Sequence, residues 1–154
     1  MSRTQLLWGS AILILMAGLF LGFNTSSPPP TDSSPATRTV TIGGVLVHVE
    51  VVDNDALRAQ GLSGHAPLAP DEGMLFVFDA DGIYPFWMKD MLFSIDILWL
   101  DAQGRVVHIE KNVSPETYPA SFTPGSPARY VLEVPAGFAD QHDIQIGATA
   151  NLEE

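Results

Sequence analysis

The sequence predicts a mainly β domain, a compact sandwich or barrel with one short helix, preceded by an N-terminal transmembrane helix and a disordered linker. Three observations predict it. An uncharged apolar run opens the chain, a Pro/Ser/Thr-rich stretch follows, and the remainder breaks into short runs rich in Val, Ile, Phe and Trp with Gly and Pro between them.

The opening run, "LLWGSAILILMAGLFLGF" from Leu6 to Phe23, holds no charge over 18 residues. As a helix it spans about 27 Å, close to the thickness of a bilayer core. Arg3 is the only charge before it, which predicts an N-terminus inside the cytoplasmic membrane and a C-terminal domain outside it, periplasmic or extracellular. Secretion after signal cleavage is the alternative. The run ends in Leu-Gly-Phe-Asn, however, without the small residues that a cleavage site needs. Residues 1–23 are therefore assigned to a membrane anchor or signal segment and residues 24–38 to a linker. The linker, "NTSSPPPTDSSPATR", has too little apolar surface to offset its ordering entropy, and at polyproline spacing it reaches about 45 Å.

The β domain is expected over residues 39–154, enough chain for one core. "TVTIGGVLVHVEVVD" reads as two strands turning at Gly43-Gly44. Val45, Val47, Val49 and Val51 fall on one face of the second strand, and Leu46, His48, Glu50 and Val52 on the other. "NDALRAQGL" reads as a short helix capped by Asp53 or Asn54 and ended by Gly61. "GMLFVFD", "FWMKDMLFSIDILWLD", "RVVHIEKN", "ARYVLEVPAG" and "ATANL" supply further strands, with Lys89-Asp90 at a bend inside the second of them. The Pro-rich segment Ser114–Ala128 is a long loop, expected to pack on its own Tyr118 and Phe122. Loops of this length also serve as covers over ligands, which is the alternative here.

Composition removes several functions. A formal charge of -11 repels phosphate backbones, so no nucleic-acid partner is expected. With no cysteine in the chain, disulfides, thiolate catalysis and Cys-ligated metals are out.

Polar residues inside apolar runs are the candidates for chemistry. Lys89, Asp90 and Asp96 rule out a second membrane span in Pro85–Asp101, since each charge costs about 2.5–3.5 kcal/mol at a bilayer centre. Asp96 is the lone ionisable side chain of Ile95–Leu100, and such a carboxyl must be paired, hydrogen-bonded or protonated. An internal ion pair with Lys89, Arg58 or Arg129 is expected, and a tuned acid is the alternative. Glu133 shares a strand face with Val131. It is expected to be solvated or ion-paired, the alternative being a pocket shared with Asp96 and Lys89. Ser63 and His65 in "GLSGH" lack the G-x-S-x-G setting of a nucleophile elbow. His108 and Glu110 lie two apart on a strand and so share a face, which makes them the metal candidates, but no dedicated ligand motif accompanies them. No cofactor is expected. Trp87 and Trp99 are expected in the core, with sugar stacking alongside Tyr118 and Phe122 as the alternative.

Taken in order and spacing, "RAQGLSG", "GMLFVF", "FWMKDM", "SIDILWLD", "GRVVHIEKN" and "YVLEVPAG" resemble the DUF192 family over about Thr39 to Leu152. The resemblance implies a compact, mainly β domain with a short helix, often exported or membrane-attached. It brings no established activity, cofactor or catalytic residue. The expectation is therefore an exported, membrane-tethered, non-catalytic binding or accessory domain of the cell envelope with a glycan or protein ligand. Trp87, Lys89, Asp96, Tyr118 and Glu133 are the candidate ligand-binding residues. The alternative is a small envelope-carbohydrate hydrolase using Asp96 and Glu133 as its carboxylates.

Overall fold

Runs of β-branched and aromatic residues separated by Gly and Pro turns build a curled sheet, which a computed structural model describes over residues 35–152. In chain order the elements are β1 (Ala36–Ile42), β2 (Val45–Val52), α1 (Asp55–Gln60), β3 (Glu72–Gly82), β4 (Phe86–Trp87), β5 (Ile95–Leu100) and β6 (Val106–Val113). A 3-10 turn (Pro115–Thr117) follows, then β7 (Ser121–Phe122), β8 (Ala128–Pro135), α2 (Phe138–Gln141) and β9 (Ala150–Asn151). The mainly β class expected from the sequence holds. The expected anchor and most of the expected linker fall outside the described residues, among which no helix is long and apolar enough to cross a membrane. β1 begins at Ala36, inside the stretch assigned to linker, because Ala36, Thr37 and Arg38 pair with Val51, Glu50 and Val49.

Seven strands form one sheet in the order β6-β5-β8-β3-β2-β1-β9. β2 and β3 are parallel, and α1 lies in the crossover between them. The other pairs in this sheet are antiparallel. Residues 147–151 join its two edges. Ala150 pairs with Ile42 of β1, while the Gly147 and Ala150 amides donate to the Val106 and Gly104 carbonyls at 2.8 Å each. Gly104 makes this approach possible: a Cβ there would sit 2.5 Å from the Ala150 oxygen, and its φ of +73° suits glycine.

The curl sorts side chains into two clusters. Ile42 and Ala150 from one edge and Val106 from the other share a cluster with Val47, Val49, Leu75, Leu98 and Leu132, which places that cluster inside the curl. Met74, Phe76, Ile95, Ile97, Trp99 and Val131 form the outer cluster, covered by Leu57 and Leu62 of the α1 region and by Met88 and Met91. With both faces covered, every residue of β5 is buried, which explains its nearly unbroken apolar sequence.

Three expectations are corrected here. Phe86–Trp87 does not join the main sheet but pairs with Ser121–Phe122 in a separate two-stranded ribbon. The Ser114–Ala128 loop is thereby tied down through β7. The two tryptophans also part company: Trp99 is fully buried, whereas Trp87 is 56% exposed. Finally, Asp96 forms no ion pair among the described residues. It is fully buried, and its carboxylate accepts hydrogen bonds from the amides of Asn112 at 2.8 Å, Gly137 at 3.1 Å and Ala139 at 2.9 Å. Of the expected partners, Arg58 and Arg129 bind Asp55 and Asp81 instead, and Lys89 is an exposed side chain. One carboxylate thus clips the end of β6 to the start of α2.

Amides serve Asp96 where a cation was expected, so Asp96→Asn turns an N–H toward groups that themselves donate. Urea unfolding should show a loss of about 2–4 kcal/mol for this variant. A midpoint equal to that of the parent would refute the clip.

Candidate functional site

Glu133 lies near the middle of β8, where register sets it between Met74 of β3 and Ile97 of β5. Alternation along β8 turns Leu132 and Val134 into the curl, and Glu133 outward with Val131. Close packing beneath it is enforced by Gly73 on β3, where a Cβ would stand 2.8 Å from the Glu133 carbonyl. Glu133 is 4% exposed, and its Oε2 is buried without a hydrogen-bond partner among the described residues. Burial without compensation pushes its carboxyl up to about 8.

The carboxyl borders a cavity of about 250 Å³ between the outer face of the sheet and its cover. Arg58, Gly61, Leu62 and Ser63 supply one wall, Phe76 and Phe78 another, and Tyr84, Phe86, Trp87, Lys89 and Met91 the rest. The α1 wall is built locally: the Asn54 side chain accepts from the Leu57 amide at 3.0 Å, and Gly61 ends the helix by donating to the Leu57 carbonyl. Arg58 is held in place by the Val77 carbonyl and Asp55, both at 2.7 Å, with its guanidinium 5.3 Å from the Phe78 ring centre. Phe78 in turn stacks on Tyr84. The Ser63 hydroxyl donates to the Lys89 carbonyl, and the Gly64 amide to the Asp90 carbonyl, both at 2.9 Å. These two bonds tie opposite walls together.

The sequence candidates therefore separate. Glu133, Lys89 and Trp87 line this cavity. Tyr118 stands beside it, packed edge to face on Trp87 with ring centres 6.1 Å apart. Asp96 is absent from the site: it pairs with Val134 across the ladder, so it faces away from Glu133, and the two carboxyls cannot act as a pair. Ser63 borders the cavity, whereas His65 does not. His108 and Glu110 share a face as expected, but they bind each other at 3.0 Å, and no group of three metal-type ligands occurs among the described residues. Sequence reasoning missed Phe76, Phe78, Tyr84 and Arg58 as wall residues. Their only signal was an acid on the strand face opposite Leu132 and Val134, needing cover from elsewhere.

The displaced ionisation of Glu133 links stability to pH. Unfolding returns the carboxyl to its ordinary value of 4.5, so between that pH and about 8 the folded chain keeps a proton that the unfolded chain gives up. The stability associated with this proton is complete below the lower value and is lost as pH rises through the upper one. Glu133→Gln cannot ionise and lacks this loss. Its unfolding free energy, read by urea titration, should pull ahead of the parent's as pH is raised from 5 to 8, reaching an advantage of about 2 kcal/mol or more. Parallel curves for the two proteins would refute a protonated Glu133.

Comparison with known proteins agrees with this fold. A curated relative from Thermococcus gammatolerans, a UPF0127 protein, is 31% identical over 105 residues, an alignment covering 65% of this chain and 63% of that protein. The chain thus spans less than two thirds of the length of the curated relative it matches. A crystal structure from Sinorhizobium meliloti 1021, described as a candidate transcription regulator, superposes with a TM-score of 0.72 at 28% identity, covering 77% of this chain and 95% of that one. A protein of unknown function from Novosphingobium aromaticivorans superposes with a TM-score of 0.71 at 25% identity, covering 78% and 94%. The family model for DUF192, described as an uncharacterized ACR, matches residues 38–152, and the chain belongs to that family.

Proposed function

We propose that the chain is a non-catalytic binding domain of the cell envelope, tethered at the cytoplasmic membrane through residues 6–23, that holds a small glycan unit in the cavity above Glu133. The observation that carries this reading is the cavity itself: a buried carboxyl with an unpartnered oxygen, surrounded by aromatic rings, beside an exposed aromatic pair. Trp87 is 56% and Tyr118 46% exposed, so both offer ring surface on which the C–H face of a sugar can stack. A few polar groups among mostly apolar walls is the usual composition of a small-molecule site.

Binding without catalysis is the better reading because glycoside cleavage ordinarily uses two carboxyl groups flanking the bond. Glu133 is the single carboxyl among the residues lining the cavity, and Asp96 lies on the other face of the sheet. The Ser63 hydroxyl is already donating to a carbonyl. Tethering is read from the sequence alone, from the uncharged run Leu6–Phe23 and the linker after it.

A glycan array probed with the full-length chain, followed by titration of Trp fluorescence with each hit, tests the proposal. Trp87→Ala should weaken binding about tenfold or more, the loss of one stacking ring, while leaving the melting temperature within a degree or two. An array without hits, or a Trp87→Ala variant that binds as the parent does, would overturn it.

A further inference from the structure

Resting on that cavity as the binding site, we propose that its ligand carries an ammonium group, seated against Glu133. The side chain is nine-tenths buried or more, borders the cavity, and leaves Oε2 without a hydrogen bond among the described residues. An acid in this position lacks either a donor or a cation. Three basic groups among the described residues are engaged elsewhere: Arg58 is bound to Asp55 and the Val77 carbonyl, Arg129 to Asp81, and Lys111 to Asp140. Lys89 also lines the cavity, but it is an exposed side chain without an ion pair among the described residues. An entering ammonium would bring several N–H donors to the Glu133 carboxyl at once and favour its ionised form, the carboxyl proton leaving to solvent as the cation enters.

The walls suit the same chemistry. Phe76, Phe78, Tyr84, Phe86 and Trp87 all border the cavity, and aromatic faces attract cations where water is excluded. A chain with a formal charge of -11 draws cations and repels anions at long range. At about 250 Å³ the space takes a small head group rather than a long chain, which points to an amino sugar within the glycan class.

Glucosamine, glucose, N-acetylglucosamine and tetramethylammonium chloride, each titrated calorimetrically into the full-length chain, test the inference. Glucosamine should bind at least tenfold more tightly than glucose or N-acetylglucosamine. Tetramethylammonium should compete with it, and Glu133→Gln, a variant expected to fold at least as stably as the parent, should abolish the preference. Equal affinity for glucose and glucosamine overturns the ammonium while sparing the glycan reading. Binding of tetramethylammonium without any sugar supports the ammonium and removes the glycan. Absence of binding by all four overturns both, and a preference for glucosamine that survives in Glu133→Gln overturns the ammonium alone.

Discussion

A carboxyl group withdrawn from water must be hydrogen-bonded, neutralised by a cation or kept protonated, because its charge is otherwise too costly to bury. β5 and β8 pose this problem twice within neighbouring positions of one ladder: Asp96 stands opposite Val134, and Glu133 opposite Ile97. The two acids solve it differently. Asp96, on the inner face, takes three backbone amides from the end of β6 and the start of α2 and so becomes part of the scaffold. Glu133, on the outer face, leaves Oε2 without a donor among the described residues, and burial pushes its carboxyl up to about 8. One acid organises the backbone, and the other keeps an oxygen without a partner among the described residues. The division follows from the two-residue period of a strand, which sends adjacent side chains to opposite faces.

The cavity owes its existence to the outer face being covered incompletely. The α1 region and the Met88–Met91 turn lie over the sheet, and Leu62, Met88 and Met91 close most of the gap. The walls come from the α1 region, β3 and the segment from Tyr84 to Met91, and they are braced. Ser63 and Gly64 bond to the Lys89 and Asp90 carbonyls, Phe86 packs edge to face on both Phe76 and Trp99, and the Trp99 indole donates to the Tyr84 carbonyl at 2.9 Å. A site framed in this way is largely preformed, and a ligand would pay little ordering entropy on entering it.

Much of this was legible in the sequence. The valine alternation of β2, the Asn54 and Gly61 caps of α1 and the continuous apolar run of β5 each carry a local signal that does not depend on distant partners. What was not legible depends on register and on backbone groups. An ion pair looked necessary for Asp96 because sequence displays side-chain cations and conceals amides. The pairing of Asp96 with Glu133 looked plausible because their separation by a sheet face emerges only when β5 is aligned on β8. Trp87 and Trp99 sit in one apolar run, yet the bend at Lys89-Asp90 sends the first to the surface and leaves the second in the core. The cavity draws its walls from segments far apart in the chain, which no local pattern can announce.

The way the sheet edges meet has a consequence for how the molecule is made. Residues 147–151 follow every other strand of the sheet in chain order, yet they are what occupies both the β1 edge and the start of β6. During synthesis, then, a nascent chain with six strands already available still presents two open ladders to its neighbours. Unpaired strand edges of this kind are templates for pairing with other chains, so the last residues of the sheet close the ladders as well as extend them.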